Sequence, residues 1–315
     1  MKKAGVIAIV IGSVFTVIGA VLLGLGIANE RVNRELVTHT YEIKDSVNVF
    51  DINISTADLY FKKDEENPRV VVKEREKEYH EVSVNDETLS IKFVNELKWY
   101  ENIFDFSVGK MEIEIYLPEQ EYKELKIISS TGDIEVNKDY SFETVDISLS
   151  TGNLKLYSSV SSELKISSST GDIIVNDVDI SKGYFKASTG NISLEKVNAL
   201  EDIKVETSTG RITLNEVEAA SLTTSCSTGR VNVSNSLFTK EMNIKTSTGD
   251  IRIVDSDAGG ATLIATTGDV NATFLTSKIV FATSKSGDIN VPRSTEGGRV
   301  DVETTTGDIY VSFKE

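Results

Sequence analysis

From residue 125 onward, aliphatic and small polar residues alternate with period two on both sides of a recurring Ser-Thr-Gly-Asp, Ser-Thr-Gly-Asn or close variant. The glycines of the ten copies are Gly132, Gly152, Gly171, Gly190, Gly210, Gly229, Gly249, Gly268, Gly287 and Gly307, at intervals of 19 or 20 residues. Aligned on glycine, three columns are apolar. Five residues before it stand Ile127, Ile147, Ile166, Phe185, Val205, Thr224, Ile244, Leu263, Ala282 and Val302. Two after it stand Ile134, Leu154, Ile173, Ile192, Ile212, Val231, Ile251, Val270, Ile289 and Ile309, and the column four after it, from Val136 to Val311, is equally aliphatic. Alternation of this kind buries one face of a strand, so the pattern predicts two short strands per coil around a turn. A fixed period of this length predicts an all-β, single-domain parallel β-solenoid of about 19–20 residues per coil.

The column three before glycine is small: Ser129, Ser168, Ala187, Thr207, Cys226, Thr246, Ala265, Ser284 and Thr304, with Leu149 the exception. The chain therefore narrows beside the turn, and Cys226 reads as a small buried residue rather than a reactive thiol. The glycine supplies the positive φ of a tight corner, and the neighbouring Thr or Asp can bond the turn's own amides. Stacked at about 4.8 Å per coil, ten corners make an edge roughly 45–50 Å long.

The entry region, residues 45–124, is less regular. Phe50, Ile52 and Ile54 alternate before Ser55-Thr56-Ala57-Asp58, and Leu59 and Phe61 alternate after it, which is the same unit with Ala in place of Gly. Val70–Val72 and Val82–Phe93 read as strand, turn, strand, with the mixed charges of residues 73–81 on a solvated face or loop. Residues 94–110 interrupt the pattern and hold Trp99, Tyr100, Phe104 and Phe106, either a cap over the open end of the solenoid or a contact site. Alternation resumes at Met111 and runs to Leu117.

Ahead of this lies a run of 25 uncharged residues, Ala4 to Ala28, preceded by Lys2 and Lys3. Its length suits a transmembrane helix with some tilt and exceeds the apolar core of a signal peptide, although Gly26-Ile27-Ala28 leaves cleavage open. The two lysines place the short N-terminus (residues 1–3) inside and residues after about 30, from the linker of residues 29–44 onward, outside the cytoplasm. The expected partner of residues 4–28 is the cell membrane.

Composition adds that the chain has 315 residues and a formal net charge of -16, which disfavours nucleic acid as a partner of the body and favours cations. The residue after each glycine is polar: Asp133, Asn153, Asp172, Asn191, Arg211, Arg230, Asp250, Asp269, Asp288 and Asp308. Aspartates at one coil spacing repel unless they cap amides, splay into water or share cations. Asp250, Asp269, Asp288 and Asp308 are thus the calcium candidates, without the glycine-rich nonapeptide of calcium-binding β-rolls. No other cofactor is expected. The only two histidines, His39 and His80, lie before the regular coils and outside any metal-ligand spacing. No nucleophile elbow, phosphate loop or dinucleotide fingerprint is present, and nothing breaks the repeat as a grafted carbohydrate-cleaving site would, so an enzyme is not expected.

The repeated Ser-Thr-Gly-Asp or Ser-Thr-Gly-Asn with an aliphatic-x-aliphatic strand, behind an N-terminal membrane segment, resembles the bacterial putative-adhesin β-solenoid family that includes the LiaG-like proteins of Firmicute envelope-stress operons. The resemblance spans roughly residues 45–313, with regular coils over 125–315. Departures are Ala57, Lys285-Ser286 and the aromatic insertion. It implies a membrane-tethered surface solenoid with no defined ligand or catalytic residue. Two functions follow: a non-enzymatic binding or scaffold protein of the cell envelope with an unidentified envelope or protein ligand, or an element that polymerises through its ends. The second expects an exposed edge at the last coil, Ile309, Val311 and Phe313.

Overall fold

A computed structural model describes residues 35–97 and 109–314. The membrane segment expected at 4–28 and the aromatic positions Trp99, Tyr100, Phe104 and Phe106 lie outside the described residues. Among those described, no helix is long and apolar enough to cross a membrane.

Among the described residues, 24 strands join one hydrogen-bonded sheet wound into a parallel β-solenoid. Corresponding positions of neighbouring coils stack in register: Ile173 pairs with Ile192, Ile192 with Ile212, and Ile212 with Val231. The apolar columns point inward. Ile127, Ile147, Ile166, Phe185, Val205 and Ile244 are all fully buried, as are Ile173, Ile192, Ile212, Val231 and Ile251. Each such side chain contributes about 1.5–3 kcal/mol through burial, and the parallel ladders bind coil to coil.

The five coils from Gly171 to Gly249 each have three inward segments rather than the two expected. Beyond the aliphatic pair that follows glycine, the backbone turns again at Asp177, Lys196, Glu216, Asn235 and Asp255, each with φ between 47° and 58°. A further inward column follows, in which Val178 pairs with Val197 and Val197 with Val217, all buried. Ser236 and Ser256 continue it, fully buried. The Ser236 hydroxyl accepts the Val217 amide (3.0 Å) and donates to the Ser234 carbonyl (2.7 Å), so a polar side chain sits in this corner without an orphaned group.

The stacking order departs from chain order at the C-terminal end. The strand Ile251–Thr267 pairs not with Ile279–Ser286 but with Arg299–Thr306, whose other edge takes Ile279–Ser286. Likewise Val270–Phe274 pairs with Ile309–Phe313, and Ile289 pairs with Ile309. The layers therefore run Gly249, Gly268, Gly307, Gly287, with the last coil inserted beneath the one before it. The edge expected at Ile309, Val311 and Phe313 is internal: Ile309 and Val311 are buried. The outermost coil is that of Gly287, and Ile289, expected to face inward, is 45% exposed. Lys278 lies where the chain climbs over the missing layer. Its ammonium is buried against Asp257 (2.6 Å) and the Ala258 carbonyl (2.7 Å).

The N-terminal end closes with antiparallel strands. Residues 49–53 and 57–63 pair in parallel with Thr88–Asn95 and Met111–Leu117. Arg69–Arg75 then runs antiparallel to Met111–Leu117, Leu36–Glu42 antiparallel to Arg69–Arg75, and Glu78–Asn85 antiparallel to Thr88–Asn95. Beneath them Phe50, Phe61, Tyr122, Tyr140 and Phe142 pack at ring separations of 5.1 to 6.0 Å. The charge run 73–81 is not wholly solvated: Glu74, Arg75 and His80 are buried. Glu74 continues the inward alternation of Val70 and Val72, His80 is buried on the following strand, and the Glu74 carboxylate accepts the His80 amide at 2.6 Å and lies 2.9 Å from Nδ1. The pairing offsets desolvation that an isolated carboxylate would bear in full.

Candidate functional site

The polar groups that repeat along the molecule converge on the glycine corners. At Gly171, φ is 132°, and a Cβ there would stand 1.9 Å from the Gly152 carbonyl oxygen. The ten glycines are thus required twice, by backbone conformation and by the approach of the layer below. In the small column, hydroxyls reach that same carbonyl: Thr207 donates to Gly190, Thr246 to Gly229 and Thr304 to Gly268, at 3.2 to 3.3 Å. Cys226 occupies the same place, with its sulfur 3.4 Å from the Gly210 oxygen, and burial pushes its thiol pKa up. It is a buried free cysteine.

The column after glycine forms a ladder in two runs. Asp58 accepts the amide of Asp133, Asp133 that of Asn153, Asn153 that of Asp172, Asp172 that of Asn191 and Asn191 that of Arg211, all at 2.8 to 3.0 Å. It resumes at Asp250, which accepts the amide of Asp269 at 3.2 Å. Asp269 then caps Asp308, and Asp308 caps Asp288, both at 2.8 Å. Ala57-Asp58 therefore works as a ladder unit even though Ala57 lacks the corner φ, since Asp58 supplies the oxygen.

All four calcium candidates lie on this edge in the order Asp250, Asp269, Asp308, Asp288, and the first three each commit one oxygen to an amide of the next layer. Among the described residues no group of three or more His, Cys, Asp or Glu side chains is placed to hold a metal ion. Burial disfavours the charge of Asp250, but the Asp269 amide and the Arg230 guanidinium outweigh it and hold the carboxyl below its ordinary value.

Between the two runs of the ladder stand Arg211 and Arg230. The Arg230 Nε and Nη2 donate to Asp250 Oδ2 at 3.2 and 2.6 Å. Two adjoining grooves open here. One, of about 460 Å³, is lined by Arg211, Arg230, Asp250 and the turns of Gly229 and Gly249. The other, of about 470 Å³, shares Arg230 and Asp250 and extends past Arg252 to Asn271 and Tyr310. The change of sign in this column was visible in the sequence; the grooves were not.

His39 is exposed on the outer N-terminal strand and His80 is buried at the N-terminal end, so the two histidines occupy different environments.

A family model described as Toastrack DUF4097 matches the chain twice, over residues 47–235 and 180–315. Among solved structures, a putative adhesin from Parabacteroides merdae is similar at 15% identity and a TM-score of 0.51, covering 90% of this chain and 98% of that one. A putative adhesin from Parabacteroides distasonis is similar at 15% identity and a TM-score of 0.50, covering 89% and 97%. At this identity the likeness concerns the fold. No curated protein sequence matches the chain.

Proposed function

The chain belongs to the Toastrack DUF4097 family, and from that premise we propose that it is a non-enzymatic, adhesin-like β-solenoid, held in the cell membrane by residues 4–28 and displayed outside the cytoplasm. The observation that carries the reading is where the side chains go. Inward columns fill the core, and most of the corner column caps amides, which leaves the outer faces of a stiff stack as the surface on which a ligand or partner binds. The apolar run behind Lys2 and Lys3 supports the anchor and its orientation. The two Parabacteroides neighbours, both described as adhesins, agree with a binding role, and a place in an envelope-stress system belongs to the same proposal.

Leu200 is 82% exposed and Cys226 is buried, so a Leu200→Cys variant carries one accessible thiol. In intact bacteria expressing the full chain, a membrane-impermeant maleimide is expected to label it, and the labelled chain should sediment with membranes. Labelling only after lysis would overturn the orientation.

A second reading, end-to-end self-association, is favoured by one feature. The outermost strand Ile279–Ser286 has one edge without a strand partner among the described residues, beside Phe281 at 52% exposure. Concentration-dependent growth in light scattering of the full chain in neutral detergent, abolished by Phe281→Lys, is its expected signature; scattering independent of concentration would exclude it.

A further inference from the structure

We propose that the corner edge around Arg211, Arg230 and Arg252 binds an oxyanion, a phosphate or carboxylate group carried on an extended polymer. The inference rests on the binding role proposed above for its setting and names the chemistry of the ligand.

The argument starts from the ladder. Ten residues occupy the column after glycine, and the amides of eight donate to a side-chain oxygen of the layer before. The two exceptions are the amides of Arg230 and Asp250, which follow the layers of Arg211 and Arg230. A guanidinium carries donors and no acceptor, so an arginine in this column cannot cap the next amide. Neither amide finds a backbone acceptor among the described residues. Both belong to the turns that line the groove of about 460 Å³. These two amides, one layer apart and each following a positive-φ glycine, have no protein acceptor among the described residues and leave two N–H donors for an anion. An oxyanion seated there supplies the oxygens that Asp or Asn supplies in the other layers.

Charge points the same way. Along the two adjoining grooves stand Arg211, Arg230 and Arg252 against one carboxylate, Asp250, a balance of 3 − 1 = +2 in a chain of net charge -16. Asp250 engages Arg230, whereas Arg211 and Arg252 have no carboxylate within ion-pair distance among the described residues. Two arginines in adjacent layers of one column repel each other and forgo two caps, which is unfavourable for the stack by itself. A bound oxyanion reverses both penalties. Asp172 on one side and Asp269 on the other repel an anionic ligand from the rest of the corner column. The shared lining of the two grooves gives it a path along the stack toward Tyr310.

The test uses the full-length chain in neutral detergent, with two probes: short-chain inorganic polyphosphate for phosphate and polygalacturonate for carboxylate. The decisive variant is Arg211→Asn together with Arg230→Asn, because asparagine removes the charge and restores the caps. Binding of at least one probe by the wild type is expected, weakening as salt is raised toward about 150 mM and falling at least about tenfold in the double asparagine variant. The thermal midpoint of that variant should equal or exceed that of the wild type, which separates lost binding from lost folding. Arg211→Lys with Arg230→Lys keeps the charge and leaves the amides uncapped, and should bind within about threefold of wild type. Whichever polymer binds identifies the oxyanion class. Equal binding by the wild type and the double asparagine variant, or no binding of either polymer by the wild type, would overturn the proposal. Membrane display is read separately by labelling at position 200, so the two readings fail independently.

Discussion

At a single corner, Gly171 is held by two constraints of different origin, a φ of 132° and a carbonyl oxygen 1.9 Å from where a Cβ would stand. Gly171→Ala is therefore expected to destabilise by about 2–4 kcal/mol, read as a lower denaturant midpoint; the strain and the overlap each account for part of it. The next residue along the column predicts a graded series. Asp269→Ala removes the acceptor of the Asp308 amide and should lower stability by about 1 kcal/mol, while Asp269→Asn keeps it and should stay near wild type. If calcium bridges Asp250, Asp269, Asp308 and Asp288, millimolar calcium will raise the thermal midpoint of wild type but not of Asp269→Asn; a midpoint unmoved by calcium or chelator would remove that role. Acid provides a third probe. The folded carboxyl of Asp250 lies below its ordinary value of 3.8, so its contribution is present above that pH and is lost as pH falls through the folded value. Asp250→Asn should flatten this part of the acid limb of a stability profile.

At the level of the coil, the period, the corner and the three apolar columns were legible because each carries a near-invariant residue type at a fixed offset from glycine. The third segment was not, since its inward column changes from Val178, Val197 and Val217 to Ser236 and Ser256, and a serine column does not read as core. Its corner was equally hidden. Asn235, Asp177 and Asp255 are residue types that tolerate positive φ, but Lys196 and Glu216 adopt it without any such signal. At the N-terminal end, a run of mixed charges concealed Glu74 and His80 on inward positions, because alternation is masked when the inward residues are themselves polar. The arginine edge was visible only as a column of changing charge; the missing caps that make it a candidate site emerge only from the stacked amides. Two substitutions separate the segments. Ile212→Asp in a column evident from sequence and Val217→Asp in the third segment should each lower stability by more than about 4 kcal/mol, or prevent folding, since each buries an unpaired charge. Near-normal melting of the Val217 variant would mean that the third segment is not part of the core.

For the whole molecule, the stacking order of the last two coils is the feature least accessible from sequence. Both possible orders align the same columns, since Ala282, Val302 and Leu263 share one offset from glycine. Atomic contacts distinguish them. The Gly268 amide donates to Thr306 and the Gly307 amide to Ser286, where elsewhere each glycine bonds the coil that follows it in sequence. Gly298 lies against Gly259, where a Cβ would come within 1.7 Å of the carbonyl oxygen. The buried Lys278–Asp257 pair sits where the chain skips the layer, and Lys278→Ala should be costly, about 3–5 kcal/mol, because it leaves Asp257 without its partner. Insertion also changes which surface ends the molecule, placing Phe281 and Ile289, rather than Val311 and Phe313, on the outermost coil.

Disulfide trapping reads the stack and its order in one experiment, on a Cys226→Ser background. Thr262 and Asp301 are register neighbours, as are Asp301 and Phe281, so the pairs Thr262→Cys with Asp301→Cys and Asp301→Cys with Phe281→Cys should both close on mild oxidation. Thr262→Cys with Phe281→Cys spans two layers, roughly 9.6 Å, and should stay reduced. Efficient closure of that third pair, with failure of the first, would contradict the inserted coil and restore a solenoid stacked in chain order.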